Sequence, residues 1–226
     1  MTSCPDCTPK APVIIFDFDG TLADTLEEAL LIVNTLAPKY GFPVIDDEKV
    51  QRLRGLSARE VIREVGIRPR SIPSFLRDLK GELRSRLDRI RPIEGIRESL
   101  EKLKAAGITM GILTSNSREN VEIFLERTGL RECFAFLRSG SSLFGKARNL
   151  RRIIEKELPG GLKDARRVIY VGDEIRDVLA AKRAGVRAVA VCWGANSREA
   201  LEACEPDLLL EEPSELPAIV ESAEWD

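Results

Sequence analysis

Residues 13–25 read VIIFDFDGTLADT. Residues 13–16 form a short, uninterrupted apolar run, which is typical of a strand buried on both faces of a parallel sheet. Two carboxylates, Asp17 and Asp19, follow this run directly. Burial at a strand end opposes their ionisation, and each negative charge repels the other. The stretch therefore indicates a strand whose carboxyl end meets a cation or another positive group.

Strand-like and helix-like segments alternate through the second half of the chain. The predicted strands cover residues 108–113, 133–137, 168–171 and 187–192, and the predicted helices cover residues 96–106, 117–128, 146–158 and 175–184. Such alternation favours an α/β fold with a doubly wound, Rossmann-like parallel sheet as its core.

A helical segment interrupts this core after the first strand. The sequence TLEE at residues 25–28 is a capping-box pattern, so a helix is predicted from Leu26, with Gly41 ending it. Two prolines, Pro69 and Pro73, are interpreted as breaks between later helices. Those later helices are predicted over residues 47–53, 57–65 and 74–90.

These patterns divide the chain into three parts. We expect a flexible N-terminal tail over residues 1–10 and an α/β catalytic core over residues 11–23 and 91–226. An inserted, all-helical cap domain is expected over residues 24–90.

The composition excludes several classes of partner. Of the 226 residues, 43% are hydrophobic and 32% charged, as in an ordinary globular protein. The 35 basic residues are balanced by 37 acidic ones, so no global positive field attracts nucleic acid or anionic lipid. No apolar run approaches the roughly 20 residues of a membrane span. We therefore expect a cytoplasmic protein with no nucleic-acid or membrane partner, either a monomer or a homodimer.

The chain has no histidine, and its five cysteines are scattered. The first fact excludes Ser-His and Cys-His hydrolases, so acid–base chemistry must fall to carboxylates, lysines, cysteines or tyrosines. The odd number of cysteines is a poor disulfide framework. Cys4 and Cys7 form a CxxC pair in the tail, but a structural zinc site usually needs four ligands. A tail with ordinary thiols is therefore preferred over a metal or redox role.

Polar clusters follow the later predicted strands as well. Their members are Thr114, Ser115 and Asn116 after one strand, Asp173, Glu174 and Asp177 after another, and Lys146 at the start of a helix. Ligands of open α/β sheets bind beyond the carboxyl ends of the strands. Taken singly, these residues could be helix caps, helix N-terminal charges or a surface lysine. Their joint occurrence favours one functional site.

The clusters, in this order and spacing, resemble the four motifs of the haloacid dehalogenase superfamily of phosphohydrolases. The residues that carry the resemblance are DFDGT from Asp17, Thr114 after an apolar strand, Lys146 in FGKA, and VGDEIRD with Asp173 and Asp177. The match spans about residues 11–195, and the helical insert resembles a C1-type cap.

The resemblance implies a role for each of these residues. Asp17 would be the nucleophile that forms an aspartyl-phosphate, and Asp19 would be the general acid and base. The implied cofactor is Mg²⁺, held by Asp17, the Asp19 carbonyl and Asp173, with Asp177 in support. The phosphate would be bound by Thr114, Ser115 and Lys146. Glu174 stands where many relatives carry a small hydroxyl residue, and it is interpreted as a helix N-terminal charge rather than a supporting acid.

The implied substrate is a small phosphorylated metabolite, phosphoglycolate-like or a sugar phosphate. The sequence RGLSARE at residues 54–60 also resembles the cap loop of hexose-phosphate mutases, but those enzymes use a histidine that this chain lacks. Arg54 and Arg59 are candidates for gripping the anionic end of the substrate, or they are solvent-facing arginines. Asp19 argues against dehalogenation, since dehalogenases lack that second aspartate. A non-catalytic binding protein of the same superfamily is the remaining alternative, and the intact set of reactive residues argues against it.

Overall fold

The computed structural model describes residues 11–140, 145–158 and 165–221. The predicted tail, with Cys4 and Cys7, lies outside these ranges. Within them the chain forms one parallel sheet in the order β3-β2-β1-β4-β5-β6. The strands are β1 (Val13–Phe16), β2 (Thr109–Leu113), β3 (Phe136–Arg138), β4 (Val168–Gly172), β5 (Arg187–Val191) and β6 (Leu208–Leu210). This is the doubly wound Rossmann order, so the predicted fold class is confirmed.

Helices connect the strands and supply the insert. Those between β1 and β2 are α1 (Leu26–Tyr40), α2 (Asp47–Leu53), α3 (Ala58–Val65), α4 (Ile72–Ser85) and α5 (Ile96–Ala105). The later ones are α6 (Arg118–Arg127), α7 (Lys146–Glu157), α8 (Ile175–Ala184), α9 (Arg198–Glu202) and α10 (Ala218–Glu221). None of the described helices has both the length and the apolar character needed to cross a membrane.

The sheet is buried on both faces because successive side chains of each strand point to opposite sides. On one face Ile14 and Phe16 pack in a cluster with residues of α5, α6 and the helical insert. On the other face Ile15 packs with Tyr170 and with residues of α7 and α8. Covered faces explain why the first strand is apolar without alternation. Its polar residues can therefore begin only where the strand ends.

The insert leaves and re-enters the core at one place. The Asp24 N–H donates to the Arg91 carbonyl (2.9 Å), and the Ile93 N–H donates to the Leu22 carbonyl (3.0 Å). These bonds lie a few residues beyond Asp17, so the insert starts directly above the carboxyl end of β1. We keep the name cap for residues 24–90.

Two local predictions in the cap are wrong. Thr25 precedes α1, but its side chain makes no capping bond to the helix. Its hydroxyl instead bonds to the carboxylate of Asp19. Pro73 does not separate two helices, because it lies in the first turn of α4. Backbone N–H groups of a first turn have no partner within the helix, so a proline there removes no helical hydrogen bond. Gly41 ends α1 with φ of 72°, as predicted.

Two local predictions in the core also need correction. The strand expected at residues 133–137 begins later, because Arg131–Cys133 form a turn of 3₁₀ helix before β3. The strand β6 was not predicted at all. Its three leucines have no alternation and no neighbouring helical pattern to mark them, and pairing with β5 alone makes them a strand.

Candidate active site

Asp17 lies immediately beyond β1, where hydrogen bonding of the sheet still holds the backbone. Its N–H donates to the Val171 carbonyl (2.8 Å), which extends the pairing with β4. Lys146, the first residue of α7, contacts the carboxylates of both Asp17 and Asp177. All three side chains are at most 3% exposed. A strand end, a helix start and the first turn of α8 thus converge on one buried ammonium group.

Lys146 is the counter-charge that this buried pair of carboxylates needs. Burial raises the pKa of Asp17 to about 7, although the charge of Lys146 opposes the rise. Burial alone would lower the pKa of Lys146, but Asp17 and Asp177 outweigh it and the pKa is raised. The lysine is therefore charged and stabilises the ionised form of Asp17.

Asp19 accepts its hydrogen bonds from neutral side chains, whereas Asp17 accepts one from a cation. The Asn116 side-chain amide donates to both of its oxygens (3.0 and 3.2 Å). Burial raises the pKa of Asp19, against the lowering effect of the bonds from Asn116 and Thr25. A carboxyl group with a raised pKa keeps its proton to higher pH than an ordinary aspartate, which suits a general acid.

Asp173 follows β4 and is completely buried. It accepts hydrogen bonds from the Thr21 hydroxyl (2.7 Å) and from the Ala195 N–H (2.8 Å). Burial, and then the charges of Glu174, Asp177 and Asp17, raise the pKa of Asp173 well above its ordinary value. The arrangement is costly without added positive charge.

The donors present suit a divalent cation. Carboxylate oxygens of Asp17, Glu174 and Asp177 lie within 4.8 Å of one another. Hard oxygen ligands of this kind are those that Mg²⁺ prefers. The grouping differs from the set implied by the resemblance, in which Asp173 and the Asp19 carbonyl accompany Asp17. Asp173 is not in this group, and both of its oxygens accept hydrogen bonds, from Thr21 and Ala195.

A cavity of about 530 Å³ separates the cap from this end of the sheet. Its polar floor includes Asp19, Ser115, Asn116, Asp173 and Arg176 from the core. Aliphatic side chains of α1, α3 and α4 line the cap side, with Arg59 and Lys80 beside them. A small anion can lie on the floor while the organic part of the same molecule lies beneath the cap.

The sequence profile of the haloacid dehalogenase-like hydrolases matches residues 14–191. The chain belongs to that family. It is 41% identical over 203 residues to a phosphoglycolate phosphatase of Synechococcus elongatus, covering 90% of this chain and 94% of the relative. It is 31% identical over 225 residues to a phosphoglycolate phosphatase of Agrobacterium fabrum, covering 94% of each chain. The resemblance stated from the motifs is therefore confirmed, and so is the enzyme class, a phosphatase of this hydrolase family.

Solved structures agree with the fold. A haloacid dehalogenase-like hydrolase of Streptococcus pneumoniae superimposes with a TM-score of 0.75 at 18% identity, covering 92% of this chain and 98% of that one. A predicted phosphatase of Clostridium acetobutylicum gives a TM-score of 0.77 at 20% identity, covering 94% and 99%. At these identities the likeness concerns the fold alone.

The structure brings most of the predicted site residues of this hydrolase together. Thr114 is buried directly after β2, and its hydroxyl accepts a bond from the Asn116 N–H (2.9 Å). Ser115 lines the cavity. The alternative reading of Thr114, Ser115 and Asn116 as helix caps is wrong, because Ser117 caps α6 by accepting from the Asn120 N–H.

The two cap arginines differ in position. Arg59 lines the cavity from α3. Arg54 is used through its backbone, whose carbonyl accepts bonds from the Asn196 side chain (2.8 Å) and the Ser197 N–H (2.9 Å). A substrate contact by the Arg54 side chain remains a prediction.

Sequence reasoning did not assign a role to two residues of the floor, Asn116 and Arg176. Asn116 could have been found from its place beside Thr114, at the end of a strand next to β1. Arg176 carries a subtler signal, a cation in the acidic first turn of α8, where negative charge is favoured.

Proposed function

We propose that this hydrolase is a Mg²⁺-dependent phosphatase that cleaves a small phosphate monoester through an aspartyl-phosphate, with 2-phosphoglycolate as its first candidate substrate. The observation that supports it best is the buried Asp17 held by Lys146, with Asp19 facing the cavity above. The name of the relatives that are 41% and 31% identical supports the choice of substrate.

In the first step a carboxylate oxygen of Asp17 attacks phosphorus, and the bond from phosphorus to the ester oxygen breaks. The proton of Asp19 goes to the departing alkoxide, which leaves as an alcohol. Lys146 offsets negative charge on Asp17 and on the phosphoryl group. Thr114 and Ser115 lie at the end of the adjacent strand β2, where a hydroxyl and backbone N–H groups can hold phosphoryl oxygens.

In the second step water attacks phosphorus of the aspartyl-phosphate. Asp19, now ionised, takes the proton of that water, and the bond between Asp17 and phosphorus breaks. Inorganic phosphate leaves, and both aspartates return to their starting states. One residue thus acts as acid and then as base, a role that a histidine plays in many enzymes and cannot play here.

Mg²⁺, when bound, supplies the positive charge that lets a dianionic phosphate approach these carboxylates. Asp17, with Asp173, Glu174 and Asp177 close to it, would hold the ion. The acidic side chains of the site outnumber its buried cations, Lys146 and Arg176, so the site has a deficit of positive charge without it.

The alternative functions are less well supported. The phosphosugar mutases that the cap loop resembles use a histidine of the cap, and this chain contains no histidine. A non-catalytic binding protein would not need one aspartate paired with a lysine for attack and a second one placed in the cavity for proton transfer.

The substitution Asp17→Asn tests the proposal. We expect it to lower the Mg²⁺-dependent turnover of p-nitrophenyl phosphate by roughly 10³-fold or more, since the nucleophile is lost. Asp24→Asn is the matched control, because Asp24 is an exposed aspartate of the same segment. Thermal unfolding would show that both variants fold. Equal turnover by wild type and Asp17→Asn would remove Asp17 from its role.

Release of inorganic phosphate from a panel of esters would test the substrate. Phosphoglycolate is expected to lead the panel, with activity lost on chelation and restored by added Mg²⁺. A clear preference for a hexose phosphate would leave the phosphatase in place and refute the choice of phosphoglycolate.

A further inference from the structure

Arg176 is the second residue of α8, and its surroundings are unfavourable for an arginine that serves only the fold. Its Nη2 donates to the Glu174 carboxylate (2.5 Å). Its Nε and Nη1 are buried and have no hydrogen-bond partner among the described residues. Buried donors without partners cost free energy, and a cation at a helix N-terminus faces the positive end of the helix dipole.

The position of Arg176 relates it to the leaving group rather than to the nucleophile. Arg176 lines the cavity on the same floor as Asp19 and Ser115. Lys146, by contrast, contacts Asp17 and is not among the residues that line this cavity. Lys146 therefore serves the attacking side, and Arg176 lies on the side where Asp19 meets the departing oxygen.

On the basis of the proposed function, we propose that Arg176 binds a carboxylate carried by the leaving group and thereby selects phosphate esters of hydroxy acids. Guanidinium and carboxylate groups form strong charge-assisted hydrogen bonds, and a buried site strengthens them. Glu174 holds one end of the guanidinium, so the remaining donors are positioned before the substrate arrives. In phosphoglycolate the carboxylate is bonded to the carbon that bears the ester oxygen, which places it close to the oxygen that Asp19 protonates.

Steady-state kinetics with two esters tests this inference. The pair is 2-phosphoglycolate and its carboxamide, which has nearly the same shape but lacks the charge of the carboxylate. For Arg176→Gln we expect kcat/KM for phosphoglycolate to fall roughly 10- to 100-fold, mainly through KM, because bonds to a charged group are lost. The value for the amide should change by less than about threefold.

Two further variants complete the experiment. Arg183→Gln removes the same charge from an exposed position of the same helix, so it should leave both esters unaffected. Arg176→Lys keeps the charge but loses the guanidinium geometry, and it should show the same selective loss to a smaller degree. If thermal unfolding shows that Arg176→Gln does not fold, the kinetics of Arg176→Lys test the inference in its place.

Equal losses for both esters would overturn the inference, since Arg176 would then act on the phosphoryl group or on the carboxylates around it. A wild-type enzyme that cleaves other phosphate esters but shows no preference for phosphoglycolate over its amide would also overturn it, with the phosphatase intact.

Calorimetry separates failure of the inference from failure of the proposed function. The probes are 3-phosphonopropionate, which cannot be hydrolysed, and its amide, each added to protein with Mg²⁺. Wild type should bind the acid more tightly than the amide, and Arg176→Gln should bind both alike. No turnover of any ester, together with this binding pattern, would refute the phosphatase and keep the carboxylate site. No difference between acid and amide in wild type would refute the carboxylate site.

Discussion

Asp17 and Asp19 are two positions apart in sequence, yet their side chains have different neighbours. Asp17 contacts an ammonium group, which favours its ionised form, whereas Asp19 receives bonds from the neutral Asn116 and Thr25. Neutral donors stabilise the carboxylate less than a cation does. Burial raises the pKa of both carboxyl groups, so their neighbours and positions distinguish them. The contact with Lys146 suits Asp17 for attack, and the place of Asp19 on the cavity floor suits it for proton transfer.

The substitution Asp19→Ala should affect esters according to their leaving groups. We expect a large loss of kcat for an alkyl phosphate, on the order of 10²- to 10⁴-fold, and a much smaller one for an aryl phosphate, whose leaving group needs little acid help. Single-turnover rates of aspartyl-phosphate formation would measure this without interference from hydrolysis. A uniform loss for both esters would count against the role of Asp19 as acid.

Gly20 is required by its contact with Asp173. Its φ is 75°, and a Cβ there would lie 2.3 Å from an Asp173 carboxylate oxygen. We expect Gly20→Ala to lose most of its activity, because Asp173 must move from its bonds to Thr21 and Ala195.

Gly41→Ala is the control for this substitution. Gly41 has a φ of 72°, and no atom of the described residues lies within 4 Å of its Cβ position. A side chain there would add backbone strain and no steric contact. That strain should cost about 1–2 kcal/mol of unfolding free energy without loss of kcat. Equal activity of the two variants would show that Asp173 tolerates displacement.

Elements with strong periodicity could be predicted from the sequence, and elements defined by pairing could not. Helices α2 and α8 begin and end where the pattern placed them. Asp46 caps the start of α2, and Gly185 ends α8. The short strand β6 exists only through its bonds to β5. The start of β3 was misplaced for the same reason, since neighbouring strands and not local pattern decide it.

The helices α1 and α4 of the cap are joined by a pH-dependent contact. The Asp78 carboxylate accepts bonds from Lys39 (2.5 Å) and from the Tyr40 hydroxyl (2.7 Å). These bonds, that of Lys39 first, hold the pKa of Asp78 at about 2, below its ordinary value of 3.8. A lowered pKa in the folded state means that the contact stabilises the protein above pH 3.8 and that this contribution is lost as pH falls through 2.

The substitution Asp78→Asn should therefore lower stability at pH 6 and matter progressively less toward pH 2. Urea denaturation at several pH values, followed by circular dichroism, would measure the difference between variant and wild type. Glu82→Gln, at an exposed position of the same helix, should show no such pH-dependent difference. A constant difference across this range for Asp78→Asn would contradict the assignment.

At the scale of the whole molecule, Asn196 attaches the cap to the core. Its side-chain amide donates to the carbonyls of Arg54 (2.8 Å) and Leu56 (2.9 Å), and its oxygen accepts from the Ile175 N–H (2.9 Å). Asn196 is 5% exposed, so these groups have little access to water. One side chain thus links the α2–α3 loop to the start of α8, which carries Arg176 and Asp177.

The substitution Asn196→Ala should lower the unfolding free energy by about 2 kcal/mol or more, because it leaves buried backbone groups unpaired. It should also raise KM, since the cap no longer has a fixed position over the cavity. Asn34→Ala is the matched comparison, because Asn34 bonds to Ile45 within the cap alone. That variant should lose stability but keep its KM. Similar KM values for both variants would show that Asn196 does not position the cap.

The sequence alone predicts the family, the parallel sheet and the reactive carboxylates at its edge. It could do so because buried strands, helix ends and catalytic motifs are local patterns, and the motifs follow the strands in a fixed order. Which of these groups contact one another depends on the folded structure. Lys146 lies 129 positions from Asp17 and contacts it. Glu174 lies in one carboxylate group with Asp17 and Asp177, although the predicted ligand set did not contain it. Such contacts depend on the order of the strands in the sheet and on the burial of unlike charges together. Both involve residues far apart in sequence, so no local pattern predicts them.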